Sequence, residues 1–197
     1  MKLITELFLT AFYTVFVSNL VLSSGFGISE AIRVSTKPGT FGRFAVMISG
    51  FSVATSVLCS LIDSLPFASK FNYALRALLY GLVLASVYIV VALFAKLIFK
   101  ASDKFMSTLG IAALNTLVFA VPYINNSAAY SFAGSVGSGI GAGIAFVLAA
   151  TLINNGSKFI EENDEIPEAF KGRPAMFFYV AMISLAFAGF SDKNIFG

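Results

Sequence analysis

Apolar positions run along this chain almost from end to end, broken only where short polar clusters punctuate them. Six segments result: Leu3–Ile28, Phe41–Leu65, Tyr73–Phe99, Phe105–Ile124, Ala128–Ile153 and Ala175–Phe190. Between them lie Lys37-Pro38-Gly39, Pro66, Asp103-Lys104, Asn125-Asn126-Ser127 and the acidic stretch Glu161 to Glu168, residue types that end regular structure. Inside the third segment, Tyr80 to Phe99 carries one charge, Lys96. About 20 apolar residues rising 1.5 Å each cross the ~30 Å hydrocarbon core of a bilayer. No alternating strand pattern offers a barrel, and in lipid each segment must satisfy its own backbone polar groups. The pattern therefore predicts an all-α integral membrane protein of six transmembrane helices, with residues 1–197 forming one membrane domain. The first segment is too long, and too poor in leading charge, for a cleaved signal peptide, so it reads as span one.

Two spans are interrupted. Ser23-Ser24-Gly25 falls in the first and Asn115-Thr116 in the fourth, so both read as broken or half-crossing helices. Six spans permit two repeats of three, about 1–100 and 101–197, and the second must enter the membrane upside down because three is odd. The interruptions then occupy matching places. Paired broken helices point to a site near the midplane of inverted-repeat membrane proteins. That makes Ser23, Ser24, Asn115 and Thr116 candidate polar site residues, although small polar residues also ease helix packing without any ligand.

Charge sets the orientation. Nine of the basic residues (Arg33, Lys37, Arg43, Lys96, Lys100, Lys104, Lys158, Lys171, Arg173) fall on the side of the 1–2, 3–4 and 5–6 connections. Only Lys2, Lys70, Arg76 and Lys193 fall on the other. The excess predicts that these connections are cytoplasmic and both termini outside. Charged residues make up 12% of the chain against 58% hydrophobic, too few to cover a soluble domain of this size. The net charge of +3 forms no patch that would mark a nucleic-acid partner.

Side-chain chemistry is sparse. The chain has no histidine and one cysteine, Cys59, so a disulfide framework, a zinc site and a histidine-based triad are excluded. Cys59 reads as a buried small hydrophobe. Asp63, three residues before Pro66, reads as an interfacial, solvated acid, and Glu161 to Glu168 as a wet loop face. Gly137/Gly141 and Gly139/Gly143 are two G-x-x-x-G pairs within the fifth segment, a pattern that lets helix backbones approach closely. No catalytic set is visible, which disfavours a membrane enzyme acting through its own side chains.

The C-terminal third carries a more specific signal. Ile166-Pro-Glu-Ala-Phe-Lys-Gly-Arg-Pro174, followed by Met182-Ile-Ser-Leu-Ala-Phe-Ala-Gly-Phe-Ser191, resembles the end of the A-type membrane protein of Rnf electron-transport complexes. It is equally similar to the E-type membrane protein of sodium-translocating NADH:quinone reductases. Tyr130-Ser-Phe-Ala-Gly-Ser with its following glycines, Leu109-Gly110-Ile111, and Val17-Ser-Asn-Leu-Val-Leu22 with Gly27 and Val34-Ser35 fit the same family. The resemblance implies a prokaryotic cytoplasmic-membrane protein of six spans with external termini. It implies a hetero-oligomer with a homologous subunit of opposite topology and other electron-transport subunits, some carrying flavin.

In that family each partner gives two cysteines, one per broken helix, to a 2Fe–2S cluster held between the subunits. Here the first position falls on Ser29 and the second on Ala120. Clusters of this kind are held by thiolates. The resemblance therefore carries the architecture over and leaves the shared cluster in doubt. It implies a core scaffold for electron transfer whose redox groups sit on partners. An inverted-repeat transporter or channel-like subunit with no redox role is the alternative.

Overall fold

The computed structural model describes residues 2–66, 68 and 71–191, with only the backbone of Arg173, Phe190 and Ser191. Lys70 and Lys193, two of the cations counted above, lie outside the described residues. The chain is helical throughout: α1 (Lys2–Phe16), α2 (Ile28–Ser35), a 3-10 turn (Pro38–Thr40), α3 (Phe41–Asp63), α4 (Tyr73–Leu97), α5 (Asp103–Ala113), α6 (Thr116–Ser127), α7 (Phe132–Glu162) and α8 (Arg173–Ser191). Among the described residues, four helical stretches are long and apolar enough to cross a membrane: Pro38–Asp63, Tyr73–Leu97, Asp103–Ser127 and Phe132–Glu162. Pro174–Gly189 is a shorter apolar helix.

The first segment departs from a continuous span. Helix α1 stops at Phe16, and the chain stays irregular until Ile28 opens α2. The fifth segment departs in the other direction. The apolar segment ends at Ile153 in sequence, yet α7 continues through Asn154-Asn155-Gly156 to Glu162 and takes in the first two acidic residues. Tertiary contacts explain this. Asn154 Nδ2 donates to the Ser35 carbonyl at 2.6 Å, and Gly156 lies under the ring of Tyr179. A polar amide and a missing side chain thus serve packing instead of ending the helix.

Helix α7 is the axis of the molecule, packed against α1, α2, α3, α6 and α8. Its glycines explain how. The two G-x-x-x-G pairs are offset by two residues, about 200° around a helix of 3.6 residues per turn, so they face different neighbours. Gly137 and Gly141 lie against the α1 backbone: a Cβ on Gly137 would collide with the Leu7 carbonyl, and one on Gly141 would sit 2.8 Å from the Ala11 oxygen. Gly139 and Gly143 lie against α3, where a Cβ would come within 2.7 Å of Val53 and 2.8 Å of the Ala45 oxygen. Both small-residue faces are consumed inside the chain, so they are not a free surface for another protein.

Helix α4 lies at the edge. Of its 25 residues only Tyr80, Leu84 and Ala95 are buried, while Leu82, Ile89, Val90, Leu93 and Phe94 point outward. Outward apolar side chains cost nothing against lipid tails.

Candidate functional site: the meeting of two helix breaks

The first break is built by Asn19. Its Nδ2 donates back to the Val15 carbonyl at 2.9 Å, and its Oδ1 accepts from the N–H groups of Val21 and Leu22, each at 3.1 Å. One fully buried amide thus satisfies backbone groups that the end of α1 leaves orphaned. Ser23 Oγ adds a bond to the Asn19 carbonyl at 2.6 Å. The chain then turns through Gly25 and Gly27, with φ of +74° and +76°, a region that only glycine enters without strain. Gly27 is the N-cap of α2, and Ala31 N–H closes the first helical turn onto its carbonyl at 3.0 Å.

The second break is shorter. Helix α5 ends at Ala113, and Asn115 is the N-cap of α6, its Oδ1 accepting from Leu117 N–H at 2.9 Å. Asn at this position is among the strongest caps, worth about 1 kcal/mol.

The two breaks touch. Gly27 N–H donates to Thr116 Oγ1 at 2.9 Å across 89 residues of sequence. Gly27 lies so close to the Asn115 amide that a Cβ there would stand 2.7 Å from Oδ1. The N-termini of α2 and α6 therefore converge, and each helix start carries partial positive charge. Glu30 in the first turn of α2 complements that charge and pairs with Arg33. Buried Asn115 Nδ2 has no partner among the described residues. Beside it opens a cavity of about 340 Å³ lined by Ser29, Glu30, Gly110, Leu114, Asn115 and Thr116.

Of the sequence candidates, the structure brings Ser29, Asn115 and Thr116 together. Ser23 lies within the first break, half-buried on the backbone, and Ser24 is exposed. Ala120 is separate: it is buried in α6, one turn beyond Thr116, and does not line the cavity with Ser29. The α6 residue that shares the cavity with Ser29 is Thr116. Sequence reasoning missed Asn19, whose signal was a lone amide inside the apolar run Val17-Ser-Asn-Leu-Val-Leu22.

The side-chain groups at the cavity are the Ser29 and Thr116 hydroxyls, the Asn115 amide and the Glu30 carboxylate, and the one thiol, Cys59, is buried in α3. No group of three or more histidines, cysteines or carboxylates that could hold a metal ion exists among the described residues. This donor set does not fit a 2Fe–2S cluster, which thiolates hold.

A second polar cluster lies at the far end of α3. Asp63 is not a solvated acid as its place before Pro66 suggested, because its side chain is 17% exposed and faces Arg76 at 3.6 Å. Asp63 Oδ2 accepts from Tyr80 Oη and, at 2.9 Å, from Asn126 Nδ2, and Arg76 Nη1 donates to Asn126 Oδ1 at 2.5 Å. One carboxylate thereby ties α3, α4 and α6 together.

The fold and the paired breaks define a multi-pass membrane protein organised around two interrupted helices. Residues 7–192 match the family described as "Rnf-Nqr subunit, membrane protein", and the chain belongs to that family. Its similarity to the A component of the Na(+)-translocating ferredoxin:NAD(+) oxidoreductase complex of Acetobacterium woodii is 28% identity, over 92% of this chain and 94% of that protein. The A component of the proton-translocating ferredoxin:NAD(+) oxidoreductase complex of Clostridium ljungdahlii is 28% identical over 93% and 96%. The A component of the ion-translocating oxidoreductase complex of Hahella chejuensis is 30% identical over 95% and 97%. The family read from the closing motif and the fifth span is borne out.

Proposed function

We propose that the chain is the A-type membrane component of an ion-translocating, Rnf-type electron-transport complex, a core scaffold paired with a homologous subunit of opposite topology. The single observation that carries this reading is the Gly27–Thr116 bond, which joins two helix starts from different halves of the chain. Such a junction is what two inverted repeats of three spans produce when their broken helices meet. The packing of α1 and α2 on α7, and of α5 and α6 on α3, supports the same symmetry. In this reading the chain has six spans, both termini outside and the odd-numbered connections in the cytoplasm of a prokaryote.

The exposed hydroxyls of Ser29 and Thr116 mark the face offered to the partner. Two converging helix N-termini favour negative charge on whatever stands against them. With hydroxyls in place of thiols, this chain supplies no ligand to an iron–sulfur cluster, and the redox groups belong to neighbours. The relatives' names include a sodium and a proton translocator, so the ion is not carried over from them.

Purification of the complex through a tag on this chain tests the reading, with iron analysis and EPR of the reduced state. A homologous membrane subunit should copurify, with no 2Fe–2S signal from this interface. A Ser29→Cys, Thr116→Cys variant should gain such a signal, and a Ser29→Cys, Ala120→Cys variant should not. Isolation of the chain without any membrane partner would overturn the subunit role. Stoichiometric 2Fe–2S iron at this interface in the unmodified complex would overturn the loss of the cluster.

A further inference from the structure

The structure holds a second built pocket, at the end of the bundle opposite the Asp63 cluster. A cavity of about 440 Å³ lies among α2, α3 and α5, and Arg33, Lys37, Arg43 and Lys104 line it. Arg33 is paired with Glu30, whereas Lys37, Arg43 and Lys104 form no ion pair among the described residues. Unpaired cations converging on one cavity repel one another unless an anion or solvent lies between them. The walls behind them are apolar, formed by Val34, Phe44, Met47 and Ile111. A pocket for a small hydrated anion has no use for such walls.

Ser102 and Phe105 form the rim of this pocket and also belong to a second cavity of about 690 Å³. That cavity is a groove between the end of α4 and the start of α5, lined by Val90, Phe94, Phe99 and Leu109 and open on the outward face of α4. A cationic pocket and a mainly apolar groove thus adjoin at Ser102 and Phe105, near the ends of the apolar helices α3 and α4. We propose that this composite site binds one anionic phospholipid, its phosphate among Lys37, Arg43 and Lys104 and an acyl chain along the α4–α5 groove. Basic pockets between transmembrane helices recognise anionic headgroups by this charge complementarity. With three unpaired cations in the pocket and Lys100, also without an ion pair among the described residues, beside the groove, a headgroup of two phosphodiesters matches the charge better than one.

Thermal unfolding of the delipidated full chain in non-ionic detergent tests the proposal. Cardiolipin and long-chain phosphatidylglycerol should raise the midpoint in that order of strength, and the effect should weaken as NaCl screens the headgroup. Phosphatidylcholine, inorganic phosphate and dihexanoyl phosphatidylglycerol should do little. Arg43→Gln with Lys104→Gln should weaken the apparent affinity by about thirtyfold, while Lys158→Gln leaves it unchanged. If that pair fails to fold, Lys37→Gln with Lys104→Gln, both exposed, serves instead, and the lipid ranking on the unmodified chain needs no variant. An equal effect of phosphatidylcholine, or an unchanged affinity in the charge variants, overturns the proposal. An equal effect of inorganic phosphate reassigns the pocket to free anions. Stabilisation by an acidic peptide but not by lipid reassigns it to a protein segment, and either result overturns the lipid site.

Discussion

Gly27 and Thr116 stand 89 residues apart and are joined by one hydrogen bond of 2.9 Å, backbone N–H to side-chain hydroxyl. That bond satisfies an N–H of buried Gly27 that the break between α1 and α2 leaves without a helical partner. Thr116→Val removes the acceptor and should destabilise the chain by about 1–3 kcal/mol, the cost of an orphaned buried donor. Thr116→Ser keeps the oxygen and should recover most of the loss. Thermal unfolding in detergent measures both, and equal behaviour of the two variants would show that the bond carries no weight.

Gly27 and Gly25 separate backbone strain from collision. Both have positive φ, but a Cβ on Gly25 meets nothing within 4 Å, whereas one on Gly27 meets Asn115 and Leu117. Gly25→Ala should cost only the left-handed penalty, about 1–2 kcal/mol. Gly27→Ala should cost more and displace the Asn115 cap. Matched unfolding midpoints for the two variants would contradict the close approach.

The glycines of α7 should divide from those that face open space. Gly137→Leu and Gly141→Leu drive a side chain into the α1 backbone and should lower the yield of folded, monodisperse protein; overpacking of this kind costs about 1–3 kcal/mol or more. Gly50→Leu is the control, because a Cβ there meets nothing within 4 Å. The readout is size-exclusion profile and melting temperature. Tolerance of Gly137→Leu equal to that of Gly50→Leu would refute the packing described.

Asp63 and Arg76 should couple. Asp63→Asn alone strands a guanidinium that is 19% exposed, and breaking a buried pair by removing one partner costs up to about 3–5 kcal/mol. Residual exposure puts the expected loss below that range. The double variant with Arg76→Gln should lose less than the two singles summed. A strictly additive cycle would mean that the pair makes no net contribution.

The proposed orientation is checked at the two ends of α7. In a Cys59→Ser background, Ser127→Cys at the end of α6 and Asn163→Cys at the C-cap of α7 place exposed residues on either side of the 31-residue α7. An impermeant thiol reagent applied to intact cells should label position 127 and not 163. The reverse result would invert the topology and the positive-inside assignment on which it rests.

How much of this was legible beforehand differs from residue to residue. The apolar segments announced their helices, because length and hydropathy are local properties and lipid leaves the backbone no alternative. Both interruptions were also legible, at Ser23-Ser24-Gly25 and Asn115-Thr116, since clustered small and polar residues weaken a helix wherever they occur. The end of α7 was not. The apolar segment ends at Ile153, and only Ser35 and Tyr179, remote in sequence, make packing residues of Asn154 and Gly156 beyond it.

The sequence by itself determined that the chain is a helical membrane protein, that its first and fourth apolar segments are interrupted, and which family its closing motif resembles. Tertiary structure alone decided that the two interruptions meet, that Thr116 and not Ala120 shares a cavity with Ser29, and that Asp63 is enclosed by Tyr80, Arg76 and Asn126. The physical reason is one of range. Hydropathy and helix breaking act over a few neighbouring residues and can be read along the chain. A hydrogen bond between residues 27 and 116 depends on how α7 gathers α1, α2, α3 and α6 around its glycines, and no local pattern encodes that distance.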